Sequence, residues 1–179
     1  NGTSMACPHV AGACALVKSV APYLSFQEIK DQILNAVDPV PALAGKCVSG
    51  GRLNLYRALP ANPRSHLILS SVVPSDAAGN GDGIINPGEQ ITLAVRLKNA
   101  GVITASGVTA IAACPSAYVT ITSGTASFGD IAEAGGLALG TPAFRFTVAA
   151  NCPLNTPLPF TLAATDTQGF TWNLAFALT

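Results

Sequence analysis

The chain has 179 residues, room for one or two domains on a scale of about 100–200 residues each. Only 10% of residues are charged, nine of each sign, so no field exists to gather nucleic acid or an anionic membrane. Mean hydropathy is high at +0.44, yet the longest apolar run, Val10–Val17, ends at Lys18, far short of the ~18–20 residues of a membrane span.

The chain opens on Asn1-Gly2-Thr3-Ser4-Met5 and enters an apolar helical run at once, so it reads as the carboxyl-terminal piece of something longer. Residues 1–62 are helical in pattern. From Val10 to Val20 nearly every side is Ala, Val, Leu or Cys, and a helix apolar all round needs partners on every side. Pro8 is expected near the end of its first turn, where a missing N–H costs least. Ser25 and Glu28 form a capping box for a second helix, with Leu24 and Ile29 at staple positions and Ile29, Ile33, Leu34 and Val37 as its apolar stripe. Pro39 and Pro41 end that helix, and a short third one is expected near Asn54–Leu59.

Pro60-Ala61-Asn62-Pro63 has the composition of a linker, and the period then changes to two. Strands are expected near His66–Val73, Gln90–Lys98, Gly107–Ala113, Tyr118–Thr122, Ala126–Ile131, Phe144–Ala149, Phe160–Ala164 and Phe170–Leu178. Short strands at this density, with no helical crossover between them, point to an immunoglobulin-like β-sandwich over residues 63–179. Trp172 is its expected aromatic anchor. The fold class is thus α+β as a two-part chain, helical and then all-β.

Ser4 sits between a glycine-led turn and the amino end of the first helix. Unpaired N–H groups and the positive dipole end stabilise negative charge there, such as the oxyanion of acyl transfer. Small neighbours Gly2, Thr3 and Ala6 allow a substrate backbone to come close. The alternative is that Ser4 merely caps the helix.

The string Asn1-Gly2-Thr3-Ser4-Met5-Ala6-Cys7-Pro8-His9-Val10-Ala11-Gly12 resembles the nucleophile segment of subtilisin-like serine peptidases, the subtilases. The likeness continues through Ser25–Val37 and Gly51-Arg52-Leu53-Asn54, about the first third of the chain. It implies that residues 1–62 are the helical end of a subtilisin-like α/β catalytic domain and that Ser4 is the nucleophile of a serine endopeptidase acting on polypeptides. The Ser4 N–H would serve the oxyanion, and Gly2 and Thr3 would shape the turn and touch substrate. The triad Asp and His of that family, and the Asn of its oxyanion hole, precede the serine and have no counterparts here, so an upstream catalytic segment of the same protein is the implied partner. Without it a serine hydroxyl is a weak nucleophile, and the chain by itself is expected to be inactive. His9 is rejected as the base: it lies about 7.5 Å further along the helix axis, and the matching family residue is buried packing. His66 reads as a surface residue, and Cys7 as a small packing residue beside Ser4.

Asp76-Ala77-Ala78-Gly79-Asn80-Gly81-Asp82-Gly83-Ile84-Ile85-Asn86-Pro87-Gly88-Glu89 aligns with a twelve-residue calcium loop begun at Ala78. Asn80, Asp82, the Ile84 carbonyl, Asn86 and Glu89 then fall at ligand positions, with Gly83 at the sharp turn. Ala78 has no oxygen to offer at the first position, and Asp76 would have to substitute. The alternative is a polar inter-strand turn. The stretch Asn80–Asn99 is also similar to carboxyl-terminal accessory domains of bacterial subtilases, which implies a secreted or cell-surface bacterial protein. Of the five cysteines, Cys7 and Cys14 are too far apart along one helix to bridge, and Cys114 with Cys152 is the preferred pair.

Two other readings use the same residues. The sandwich could be a non-catalytic adhesion or binding module attached to a degenerate peptidase remnant. The acyl group on Ser4 could also pass to a nucleophile other than water.

Overall fold

The computed structural model describes residues 2–59 and 64–179. The chain divides into two compact units, Asn1–Arg64 with Gly101–Ile103, and Ser65–Ala100 with Thr104–Thr179. It is an α+β protein, and its sheets are antiparallel throughout.

The first unit begins with α1 (Thr3–Val20), whose N-cap is Gly2. Pro8 is the sixth residue of this helix, in its second turn rather than at the end of its first, and its missing N–H leaves the Ser4 carbonyl without the usual helical donor. Lys18 folds back at the other end and donates through Nζ to the Pro22 and Leu24 carbonyls at 2.8 and 2.7 Å, which satisfies the turn that follows. The second helix, α2 (Phe26–Asn35), starts with the expected reciprocal box. The Glu28 N–H donates to Ser25 Oγ at 3.3 Å, while Ser25 N–H and Oγ both donate to Glu28 Oε2 at 2.7 Å.

After α2 the chain extends rather than simply stopping at the prolines. β1 (Val37–Pro39) pairs with β2 (Gly51–Leu53), Val37 opposite Leu53 and Pro39 opposite Gly51, around a 3-10 turn at Pro41–Leu43. Three-residue strands carry no periodicity to read, so this hairpin was not foreseen. Gly51 is required in it: a Cβ there would meet the Asp38 carbonyl oxygen at 2.5 Å. The short α3 (Leu55–Ala58) follows, capped by the Asn54 side chain, which accepts from the Arg57 N–H. The core of this unit is small: Ala13, Val17, Ile33, Ala36 and Ala58, with Leu24, Ile29 and Leu53 against it.

The second unit contains β3 (Leu67–Ser75), β4 (Gln90–Asn99), β5 (Ala105–Ala113), β6 (Val119–Ser123), β7 (Thr125–Ile131), β8 (Leu137–Leu139), β9 (Phe144–Val148), β10 (Leu158–Thr165) and β11 (Thr171–Leu178). One sheet runs β11-β10-β5-β7; the other runs β3-β4-β9-β6, with β8 beside β4. All eight expected strands are present within a few residues, and β8 is the addition. Burial alternates along β4 and β10 as a pleated strand demands, and the inward rows of both sheets join in one hydrophobic cluster.

The centre of that cluster is phenylalanine. Phe146 and Phe160 are almost fully buried with ring centroids 5.0 Å apart, and Phe176 stacks on Phe160 at 5.4 Å. Trp172, the expected anchor, is only half-buried, because β11 is the last strand of its sheet. Two buried polar residues tie loops to strands. Asn99 accepts the His66 N–H at 3.0 Å and donates to the Ile131 carbonyl at 3.0 Å. Asp166 accepts from the Gln168 and Phe170 N–H groups, both at 3.0 Å, and so closes the β10–β11 turn.

Candidate active site

The amino end of α1 decides what Ser4 can do. Gly2 is extended (φ 163°, ψ 175°) and makes no side-chain cap, so the helix starts bare and Ser4 is its second residue. That placement removes the capping alternative for Ser4. The Met5 N–H turns to the Gly2 carbonyl at 3.0 Å, while the Thr3 and Ser4 N–H groups have no acceptor within the helix. Gly2, Thr3 and Ser4 are all exposed, and the Ser4 hydroxyl makes no hydrogen bond to any described residue. A Cβ on Gly2 would stand 4.0 Å from Ser4 Oγ, so glycine keeps the approach to the hydroxyl open. The result is a hydroxyl and N–H groups without a partner among the described residues, at the positive end of an 18-residue helix.

Beside it lies an open depression of about 740 Å³ bounded by Gly2, Met5, Ala6, His9, Val10, Arg52, Leu53 and Leu55. His9 is exposed here rather than buried, and its Nδ1 donates to the Met5 carbonyl at 2.9 Å, one turn back along its own helix. It is thus engaged with its own helix rather than with Ser4. Cys7 is likewise exposed rather than packed, and it is Cys14 that touches the small core. All five cysteines are free thiols, so the expected Cys114–Cys152 bridge is not formed; both residues join the hydrophobic cluster of the second unit instead. His66 is half-buried at the start of β3 and held by Asn99, not a plain surface residue.

Sequence reasoning missed a polar knot on the β1–β2 hairpin. Asp38 accepts from Asn54 Nδ2 at 2.8 Å and Arg52 at 3.1 Å, with Arg57 3.8 Å away. The Asn54 hydrogen bond, then that of Arg52, holds the Asp38 carboxyl below the usual carboxylate range. This knot carries Arg52 and Leu53 to the rim of the depression. The Gly51–Asn54 motif was visible in the sequence, but its acceptor stands sixteen residues before Asn54 with no local signal to connect them.

The Asp76–Glu89 segment folds into one tight loop. Asp76 Oδ2 accepts from the Gly83 N–H at 2.9 Å, and Asp82 Oδ1 from the Ile84 N–H at 2.8 Å. Glu89 accepts from the Asn80 and Asn86 N–H groups at 3.2 and 3.0 Å, and Asn80 Oδ1 from the Asp82 N–H at 3.0 Å. The Asn86 amide nitrogen sits among three oxygens, 3.4 and 3.2 Å from the two of Asp82 and 3.4 Å from the Ile84 carbonyl. Those oxygens converge as a hard cation would need. Asp76 and Glu89 instead spend their oxygens on backbone N–H groups, and no group of three acidic, His or Cys side chains among the described residues could hold a metal. The residues fit calcium only in part: Asp82 Oδ1 already accepts the Ile84 N–H at 2.8 Å and its Oδ2 the Asn80 amide at 2.9 Å, and Asn80 and Asn86 would have to turn their carbonyl oxygens inward. The Ile84 N–H is the main cause of an Asp82 pKa below the ordinary range.

Residues 1–81 match the family model described as the subtilase family. The amino-terminal part of this chain is similar to subtilases. The match to subtilases continues in curated relatives. A subtilisin-like protease 1 of Plasmodium vivax is 39% identical over 59 residues, 33% of this chain and 9% of its own length. The subtilisin-like protease SBT4.14 of Arabidopsis thaliana is 42% identical over 62 residues, 32% of this chain and 8% of its own. A calcium-dependent protease of Trichormus variabilis is 34% identical over 84 residues, 40% of this chain and 13% of its own. The chain therefore spans about a tenth of the length of these relatives. Among solved structures, the archaellum periplasmic stator complex of FlaF and FlaG from Sulfolobus acidocaldarius matches over 65% of this chain and 91% of that one, at TM-score 0.31 and 12% identity, too distant to carry an argument.

Proposed function

We propose that Ser4 is the nucleophile of a subtilisin-like serine endopeptidase and that residues 1–62 are the closing part of its catalytic domain. The observation that carries the reading is the bare, glycine-led start of α1, with the Ser4 hydroxyl and N–H both without a partner among the described residues at its positive end. In this reaction Ser4 Oγ attacks the scissile carbonyl carbon and gives its proton to an imidazole base. The Ser4 N–H donates to the developing oxyanion. The C–N bond then breaks, the amine leaves with the proton, and water hydrolyses the Ser4 ester. The base and its Asp come from sequence outside these 179 residues, so the chain by itself should not turn over peptides.

Fluorophosphonate labelling with mass mapping tests this. The expected result is no adduct on the 179-residue chain and an adduct on Ser4 in the natural full-length product. A full-length product that is left unlabelled, or labelled elsewhere, would sink the proposal and leave a degenerate peptidase.

Residues 63–179 are, in this reading, an immunoglobulin-like sandwich that accompanies a secreted or cell-surface enzyme. Two antiparallel sheets sharing one core support that assignment. No helix of the described residues is long and apolar enough to cross a membrane. Calcium binding at Asp82, the Ile84 carbonyl, Asn80 and Asn86 belongs to the same proposal, with Asp76 and Glu89 bracing the loop. The convergence of oxygens on the Asn86 amide supports it, as does similarity to proteases named calcium-dependent. Added Ca²⁺ should raise the melting temperature of the second unit, and Asp82→Ala should abolish the response. Equal melting in Ca²⁺ and in chelator would remove calcium from the account.

A further inference from the structure

Five strands of the second unit pair with a neighbouring strand on one side only among the described residues, and they are not alike; one of them, β8, is three residues long. β3 contains Pro74 and slips register between Leu69 and Ser71. β6 is five residues long and slips between Ile121 and Ser123. β7 carries Asp130, and its pairing with β5 slips twice. Proline, bulges, charge and shortness all keep a sheet edge from pairing with another chain. β11 has none of these. It pairs with β10 through eight consecutive registers without a slip, and Thr-Trp-Asn-Leu-Ala-Phe-Ala-Leu contains no charge, Pro or Gly. The backbone groups on its far side have no strand partner among the described residues. Its inward row, Trp172, Leu174, Phe176 and Leu178, is left half-buried where the sheet stops.

We propose that β11 is a self-pairing edge, on which a second copy of this chain docks its own β11 antiparallel to the first. Three features favour a second copy over an unlike strand. The strand is uncharged, so two copies meet without repulsion. A two-fold antiparallel pairing with Ala175 opposite Ala175 keeps like faces together and sets Trp172 against Leu178 and Leu174 against Phe176, so all four half-buried residues gain a neighbour. The pairing also closes on itself, and with the other four edges blocked or too short the assembly stops at two. One strand pair is small beside the roughly 1,600 Å² of a standard interface, so the dimer is weak and depends on concentration.

Sedimentation of the whole 179-residue chain over a wide concentration range is the test. The expected result is a monomer–dimer equilibrium that Ala175→Lys weakens at least ~10-fold by placing like charges across the axis, with the melting temperature unchanged because Ala175 is exposed. Mixing Ala175→Lys with Ala175→Asp chains should restore the dimer. A monomer at every concentration would overturn the proposal, as would association that Ala175→Lys leaves intact, which would place the contact elsewhere, for example on the exposed face of α1. Growth beyond two copies would overturn it too.

Discussion

The two units use similar residues to opposite effect. α1 is among the most apolar stretches of the chain, yet it buries only Ala13 and Val17, while Met5 is 65% exposed. In the second unit Ile91, Leu93 and Leu97 along β4, and Phe146 across from them, are closed off almost completely. The difference lies in what faces each element. Alternate residues of β4 all meet the inward row of a second sheet, whereas α1 has, among the described residues, α2, α3 and the short β2 for company and can offer one stripe to them. Apolar composition makes burial favourable; a facing layer is what makes it happen.

Amide hydrogen exchange would break this comparison most directly. Amides of α1 should exchange at least ~100-fold faster than those of β4 and β10, since local opening ranges from nearly free to the full unfolding free energy. Equal protection would mean that α1 is as well supported as the sheets. Next in size, Phe146→Ala should destabilise the second unit by about 3–5 kcal/mol in urea titrations, because its neighbours cannot close the cavity. Gly51→Ala should cost the first unit about 1–3 kcal/mol through the clash with the Asp38 carbonyl, visible as a loss of helical signal at lower denaturant.

The smallest effect is at the capping box. Ser25→Ala should cost about 1 kcal/mol. The Ser25 hydroxyl, then its N–H, holds the Glu28 carboxyl below its ordinary value. A carboxyl depressed in the folded state adds stability above its unfolded pKa of about 4.3, and that stability is lost as pH falls through the lower folded value. Acid titration of α2 by circular dichroism should therefore show a loss below about pH 4 that Glu28→Gln flattens.

How far the sequence could be read varies by element. The capping box was legible because Ser25 and Glu28 are three residues apart and meet within a single turn. The eight strands were legible because alternation survives in the residue order. The β1–β2 hairpin and β8 were not, since three residues hold no period and their pairing depends on partners far along the chain. Trp172 was misjudged for a related reason: size and apolarity do not tell whether a strand is central or last in its sheet. His9, expected to be packed, lies exposed because no second layer covers its side of α1.

For the candidate site the division is similar. The order Gly2-Thr3-Ser4 before an apolar helix, with its likeness to subtilases, was enough to nominate the serine, because a helix start and its neighbours are local. The same holds for the polar loop Asp76–Glu89, whose turns close through hydrogen bonds between near neighbours in sequence. Only the tertiary structure decided that Gly2 rather than Ser4 caps the helix, that Asp38 gathers Arg52 and Asn54, and that β11 is the last strand of its sheet. Each of these depends on which distant segment stands opposite a residue, and residue order alone does not carry that information.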